Sequence, residues 1–144
     1  MISRPPSPPS AEILFKGSLA AIGEAGDWLA AWLAPRAVPA DAAFALRLCL
    51  EEALANIVMH GGEGEASIAA SLAEEDGSLV LRISDDGMAF DPVTAESPKE
   101  AVIGGNGLIL LRRYSNAMSY RREDGRNHLA LRFTPADGMP APDR

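Results

Sequence analysis

The sequence predicts an α+β two-layer sandwich, with a mixed, mostly antiparallel sheet and helices gathered on one face. Three observations predict it. Two Asp-Gly turn signals, Asp76-Gly77 and Asp124-Gly125, each separate runs of alternating apolar residues, as hairpins require. Two stretches with apolar residues at helical spacing precede the first hairpin, and a shorter one lies between the hairpins. Strands and helices do not alternate regularly, which disfavours a doubly wound parallel sheet.

The elements follow in order. Residues 1–11 begin Pro- and Ser-rich and are expected to form a flexible leader. Residues 12–19 read as a short strand with Ile13, Phe15 and Leu19 as its apolar members. Residues 20–33 read as a helix with Ile22, Leu29 and Leu33 inward, ended by Pro35 and Pro39. Trp28 and Trp32 on that helix are expected in the core, with a dimer surface as the other reading. Asp41 is the expected N-cap of a second helix reaching His60, which Gly61-Gly62 stops. Strands are expected over 66–74 and 78–84, with Ile68, Ala70 and Leu72 facing the same way as Leu79, Leu81 and Ile83. Residues 86–106 carry little periodicity, and a loop of that length is usually functional or mobile. A third helix is expected over 107–116, with Leu108, Leu111 and Tyr114 on one face, then strands over 117–122 and 127–133. Residues 135–144 read as a Pro-rich flexible tail, so the folded domain is expected over 12–134.

Composition bounds the function. A chain of 144 residues fits one domain, and 47% apolar with 23% charged residues is ordinary for a globular core. A net charge of −7 argues against general nucleic-acid binding and against docking on anionic membranes. It suits solubility or a basic protein partner. Cys49 is the sole cysteine, so no internal disulfide can form, and its apolar helical setting makes it a small core residue. No apolar run is long enough to span a bilayer, and the N-terminus has no apolar signal core, so the expected location is cytoplasmic.

Three groups of residues carry chemistry. Glu52, Asn56 and His60 recur every fourth residue and form one polar stripe on an otherwise apolar helix. Such a stripe is common on a solvated helix edge. Beside a core face it makes sense if it lines a cleft holding a polar ligand, because buried polar groups without partners are costly. A carboxylate and an amide oxygen one turn apart can share a hydrated magnesium ion. His60 near the helix end suits the helix dipole.

Asp85 ends a strand and is followed by Asp86-Gly87. This Asp-Gly turn is common in itself. An ionised Asp is acceptor-only and suits an exocyclic amine, while Gly87 allows backbone close to a flat base. Finally, Gly104-Gly105-Asn106-Gly107 precedes a helix, where successive N–H groups can cradle phosphate. No Lys-Ser/Thr pair completes a P-loop there, and no strand leads into it as in a dinucleotide fingerprint.

Together these motifs, in this order, resemble the GHKL ATPase superfamily of gyrase, heat-shock chaperone, histidine kinase and mismatch-repair proteins. The stretch Leu50-Glu51-Glu52-Ala53-Leu54-Ala55-Asn56-Ile57-Val58-Met59-His60 resembles its N box. Asp85-Asp86-Gly87-Met88-Ala89-Phe90-Asp91-Pro92 resembles its first glycine box, and Gly105-Asn106-Gly107-Leu108-Ile109-Leu110-Leu111-Arg112 its second. The resemblance covers roughly residues 12–134 and is nearest to the anti-sigma-factor serine kinases of bacterial partner switching. It implies the Bergerat, histidine-kinase-like fold. It also implies ATP and Mg2+ as ligands, Asn56 on the metal, Glu52 as general base, Asp85 on adenine and Gly87 completing the adenine site. Gly105, Asn106, Gly107 and Leu108 would serve the phosphates under a closing lid, in which Lys99 is the only lysine. Ala89 stands where the first glycine box usually has its second glycine, and 125–128 lacks the threonine often found near the last strands.

The resemblance implies an ATP-binding anti-sigma factor and protein serine kinase. Its partners would be a sigma factor and a small antagonist protein, with a homodimer implied by family habit. Two alternatives stay open: a non-catalytic nucleotide-binding regulatory module, and the trans-acting catalytic domain of a split histidine kinase.

Overall fold

A computed structural model describes residues 10–60, 66–91 and 107–135. The first element of the described residues is β1 (Ser10–Lys16), whose Ile13 and Phe15 pack against the core. Ser10 and Ala11, assigned by sequence to the leader, belong to this strand and pair with Ala73 and Leu72. The strand also stops earlier than expected. Ser18 adopts extended backbone and its hydroxyl accepts from the Ala21 N–H at 3.3 Å, capping α1 (Leu19–Leu33). Leu19 thus opens a helix rather than closing a strand, and its side chain is exposed.

Leu29 and Trp32 are buried on α1, with Ile22, Trp28 and Leu33 packed against the same core. Both tryptophans therefore serve the interior. Arg36 closes the C-terminal end of the helix. Its guanidinium lies 3.9 Å from the Trp32 ring centre and Nη1 donates to the Trp32 carbonyl at 2.6 Å. Nε meets Glu74 at 3.0 Å, which ties the helix end to the sheet. The next helix, α2 (Ala40–His60), starts just before Asp41. Asp41 is a first-turn residue, not the cap, and accepts from the Ala42 N–H at 2.9 Å, where a negative charge favours the helix dipole.

Two hairpins and a short helix complete the order: β2 (Ser67–Glu75), β3 (Ser78–Asp85), α3 (Gly107–Tyr114), β4 (Ala117–Glu123) and β5 (Arg126–Phe133). Asp76 and Asp124 have φ of 50 and 52, and Gly77 and Gly125 have φ of 80 and 74. Both turns use the left-handed conformations that match the twist of a tight hairpin. The third helix ends before its predicted limit. The Ser115 hydroxyl donates to the Leu111 carbonyl at 2.6 Å, while Asn116 turns to β5, donating its N–H to the Arg132 carbonyl at 2.7 Å.

The strands form one sheet in the order β1-β2-β3-β5-β4, and every described pairing is antiparallel. One face carries Ile68, Ala70, Leu72, Leu79, Leu81, Ile83, Leu131 and Phe133. The helices pack on it through Leu29, Leu46, Cys49, Leu50, Leu54 and Leu111, giving the expected two-layer α+β sandwich. Cys49 is fully buried in this layer. Burial, and next the charge of Glu52, push its thiol up to about 12, so it stays a neutral core group. Among the described residues, no helix is long and apolar enough to cross a membrane.

Candidate functional site

The alternation that builds the core also builds the site. On β3 the inward series Leu79, Leu81, Ile83 continues into Asp85, and on β5 the series Phe133, Leu131, Leu129 continues into Asn127. The register sets Asp85 directly opposite Asn127. On β4 the same face carries Met118, Tyr120 and Arg122, with Arg122 opposite Asn127 on the other side. At one end of the sheet the apolar face therefore becomes polar, against the last turns of α2.

A cleft opens there between the sheet and the helices. Ala53, Asn56 and Ile57 line it from α2, Ile83 and Asp85 from β3, and Leu111 from α3. Met88 and Phe90, from the segment after β3, with Tyr120, Asn127 and Leu129 complete the lining. Apolar walls with few polar groups are typical of sites for flat organic ligands. Two residues expected from sequence, Asn56 and Asp85, thus face one cavity although they come from different layers. Asn56 is 7% exposed, and among the described residues its Nδ2 has no hydrogen-bond partner. A buried orphan donor is costly unless a ligand supplies the acceptor.

Asp85 is 5% exposed. Its Oδ1 accepts from the Gly87 N–H at 2.9 Å and from Asn127 Nδ2 at 3.0 Å. Asn127 Nδ2 also donates to the Met88 carbonyl at 2.9 Å, and its Oδ1 accepts from the Phe90 N–H at 3.3 Å and from the Tyr120 hydroxyl. Arg122 Nη1 donates to the Gly87 carbonyl at 2.7 Å. The hairpin β4–β5 therefore holds the turn after β3 at three backbone groups, the Gly87 and Met88 carbonyls and the Phe90 N–H. Ala89 in that turn is exposed.

Glu52 is half-buried, one turn before Asn56 on α2, and is not part of the cavity lining. Burial, and then the charge of Glu51, raise its carboxyl above the ordinary range. His60 is the last residue of α2, and Gly107 and Leu108 are the first two of α3. Gly105, Asn106 and Lys99 lie outside the described residues. Tyr120, Asn127 and Arg122 were not among the residues expected from sequence. The visible trace of Asn127 is its place at the end of an alternating Asn127-Leu129-Leu131-Phe133 series, one polar residue on an apolar face.

A family model of the histidine kinase-like ATPase domain matches residues 15–133. The chain belongs to the histidine kinase-like ATPase family. Among its relatives is a serine/threonine-protein kinase, BtrW of Bordetella bronchiseptica, 43% identical over 96 residues that cover 61% of this chain and 68% of the relative. Among solved structures, the RsbU and RsbW domains of Rv1364c from Mycobacterium tuberculosis align with a TM-score of 0.67 at 19% identity, over 98% of this chain. The present chain spans 35% of that longer one, and the likeness bears on the fold.

Proposed function

We propose that this chain is an ATP-dependent protein serine kinase that also binds and restrains a sigma factor, switching partners when it phosphorylates a small antagonist protein. The observation that carries the reading is a pair of buried polar side chains on one cavity. Among the described residues, Asn56 brings an N–H without a partner and Asp85 a carboxylate bonded through one oxygen only. The family match and the kinase relative support it.

In this reading the adenine ring enters between Ile83, Met88 and Leu129, and its amine donates to Asp85. Gly87 brings backbone to the edge of the base. The backbone N–H groups of Asn106 and Leu108 would meet the phosphates, with Gly105 and Gly107 letting a lid close over them. The donor set fits magnesium, which takes few protein ligands and keeps several waters. Among the described residues there is no cluster of three or more His, Cys, Asp or Glu that could hold a metal. In this reading the Asn56 amide oxygen would be a protein ligand. Bound there, the ion would neutralise phosphate charge. Glu52 orients the hydroxyl of the substrate serine and takes its proton as the new O–P bond forms and ADP leaves with the old one. A carboxyl raised above the usual range is a better base than an exposed one. The phosphate placed on the antagonist adds about two negative charges at its surface. Against a chain of net charge −7 that repulsion favours release, which frees the surface for the other partner. Such work belongs in the cytoplasm, with a homodimer as the expected assembly.

The test is transfer of label from ATP in the presence of magnesium and candidate antagonist proteins. Acid-stable serine label is expected. Label on histidine, or nucleotide binding without transfer, would replace the kinase reading by a split histidine kinase or a regulatory module. Asn56→Ala is expected to abolish magnesium-dependent nucleotide binding, and Glu52→Ala to preserve binding while transfer falls by roughly 100-fold or more. Unchanged transfer in Glu52→Ala would remove that residue as base.

A further inference from the structure

We propose that Asn127 is a positioning residue that decides which purine the cleft accepts, by pinning Asp85 so that a single carboxylate oxygen meets the base. The inference rests on the nucleotide-binding reading and goes further, to a residue and a selectivity that reading does not supply.

Asn127 is 6% exposed, and its amide is fully used. Nδ2 donates to Asp85 Oδ1 at 3.0 Å and to the Met88 carbonyl at 2.9 Å. Oδ1 accepts from the Phe90 N–H at 3.3 Å and from the Tyr120 hydroxyl. Those partners fix the amide's orientation. A backbone carbonyl can only accept and a backbone N–H can only donate, so the nitrogen must face Met88 and Asp85, and the oxygen must face Phe90. Flipping the amide would set two acceptors against each other and two donors against each other. The group turned toward Asp85 is therefore always a donor.

Asp85 Oδ1 takes a second donor, the Gly87 N–H at 2.9 Å. With both bonds made on Oδ1, the carboxylate has little freedom to turn. Oδ2 has no hydrogen-bond partner among the described residues and is the oxygen left to the cleft. A purine with a 6-amino group places a donor there. A 6-oxo purine places a carbonyl there, acceptor against acceptor. Hypoxanthine keeps a donor one atom away, at N1, and a carboxylate free to rotate could use it. One held through Oδ1 by Asn127 and Gly87 cannot follow. Without the Asn127 donor, one of the two restraints is gone, and both purines become usable.

The test is calorimetric binding of ATP and of inosine triphosphate, which differ only at that edge of the base. Wild-type protein is compared with Asn127→Ala and with Asn127→Asp, which has the same shape but no N–H donor. Wild type is expected to prefer ATP by roughly 10- to 100-fold, the worth of one hydrogen bond to a charged group. In each variant the ratio is expected to fall to about 3-fold or less. A merely structural role would weaken both nucleotides alike and leave the ratio where it was. An unchanged ratio in either folded variant would overturn the proposal. So would a wild type that binds both nucleotides equally, which leaves nucleotide binding intact and needs no variant to fold. A wild type that binds neither would overturn the nucleotide-binding reading itself, and the proposal with it.

Discussion

Glu51 and Glu52 are adjacent on α2, and their proximity has a measurable consequence. Burial first, and the Glu51 charge second, raise the Glu52 carboxyl above its ordinary value. The charged form is the one disfavoured, so in the proposed role as base Glu52 would become active at higher pH than a free glutamate, whose usual value is about 4.3. The rate of transfer is expected to rise through an acidic limb above that value. Glu51→Gln removes the second cause, and the limb should move to lower pH. A limb that stays in place would mean that Glu52 does not titrate in the rate-determining step. At this scale the sequence was informative where residue type and local spacing suffice. Asn56 and Asp85 could be named because each stands in a short motif, and Cys49 because its neighbours are apolar at helical spacing. Asn127 and Tyr120 could not. Asn127 meets Asp85 across 42 residues of chain, through a strand register that no local pattern states.

The two hairpin turns are the clearest case of an element written locally. Gly77 has φ of 80, and a Cβ built there meets nothing within 4 Å. Gly77→Ala therefore tests backbone strain alone, without steric conflict. It is expected to destabilise by about 1–2 kcal/mol, the cost of holding an L-residue in the left-handed region. Chemical denaturation should show a lower midpoint with an unchanged slope. A neutral substitution would mean that the turn relaxes to another type. Element ends were less legible. Ser10 and Ala11 look like leader because small and polar residues carry no strand signal, and only their pairing with Ala73 and Leu72 makes them strand. Ser115 and Asn116 fit a helical continuation by pattern, but the Ser115 hydroxyl and the bonds from Asn116 to β5 divert the chain. In both places a tertiary partner overrides local preference.

For the whole molecule, alternation told which face of each strand is apolar and so gave the two layers. It said nothing of neighbours. The insertion of β5 between β3 and β4 follows from the third helix carrying the chain back across the sheet, which local periodicity does not encode. That insertion makes the site, because it brings Asn127 to Asp85 and Arg122 to Gly87. The third helix was expected from Gly107, and α3 begins there.

The sheet order also ranks the strands by how firmly each is held. β3 is central, with β2 on one side and β5 on the other, whereas among the described residues β1 and β4 each have one neighbour. Amide hydrogens on β3 should exchange with deuterated water only through global unfolding, and those of β1 and β4 through partial openings at lower free energy. Mass spectrometry of exchanging peptides would show the gradient, and equal protection across the sheet would contradict it. Asp85 is the last residue of the slowest strand. A molecule whose outer strands have frayed would therefore keep the strand that ends in Asp85 while losing the grip of Tyr120 on Asn127 and of Arg122 on the Gly87 carbonyl.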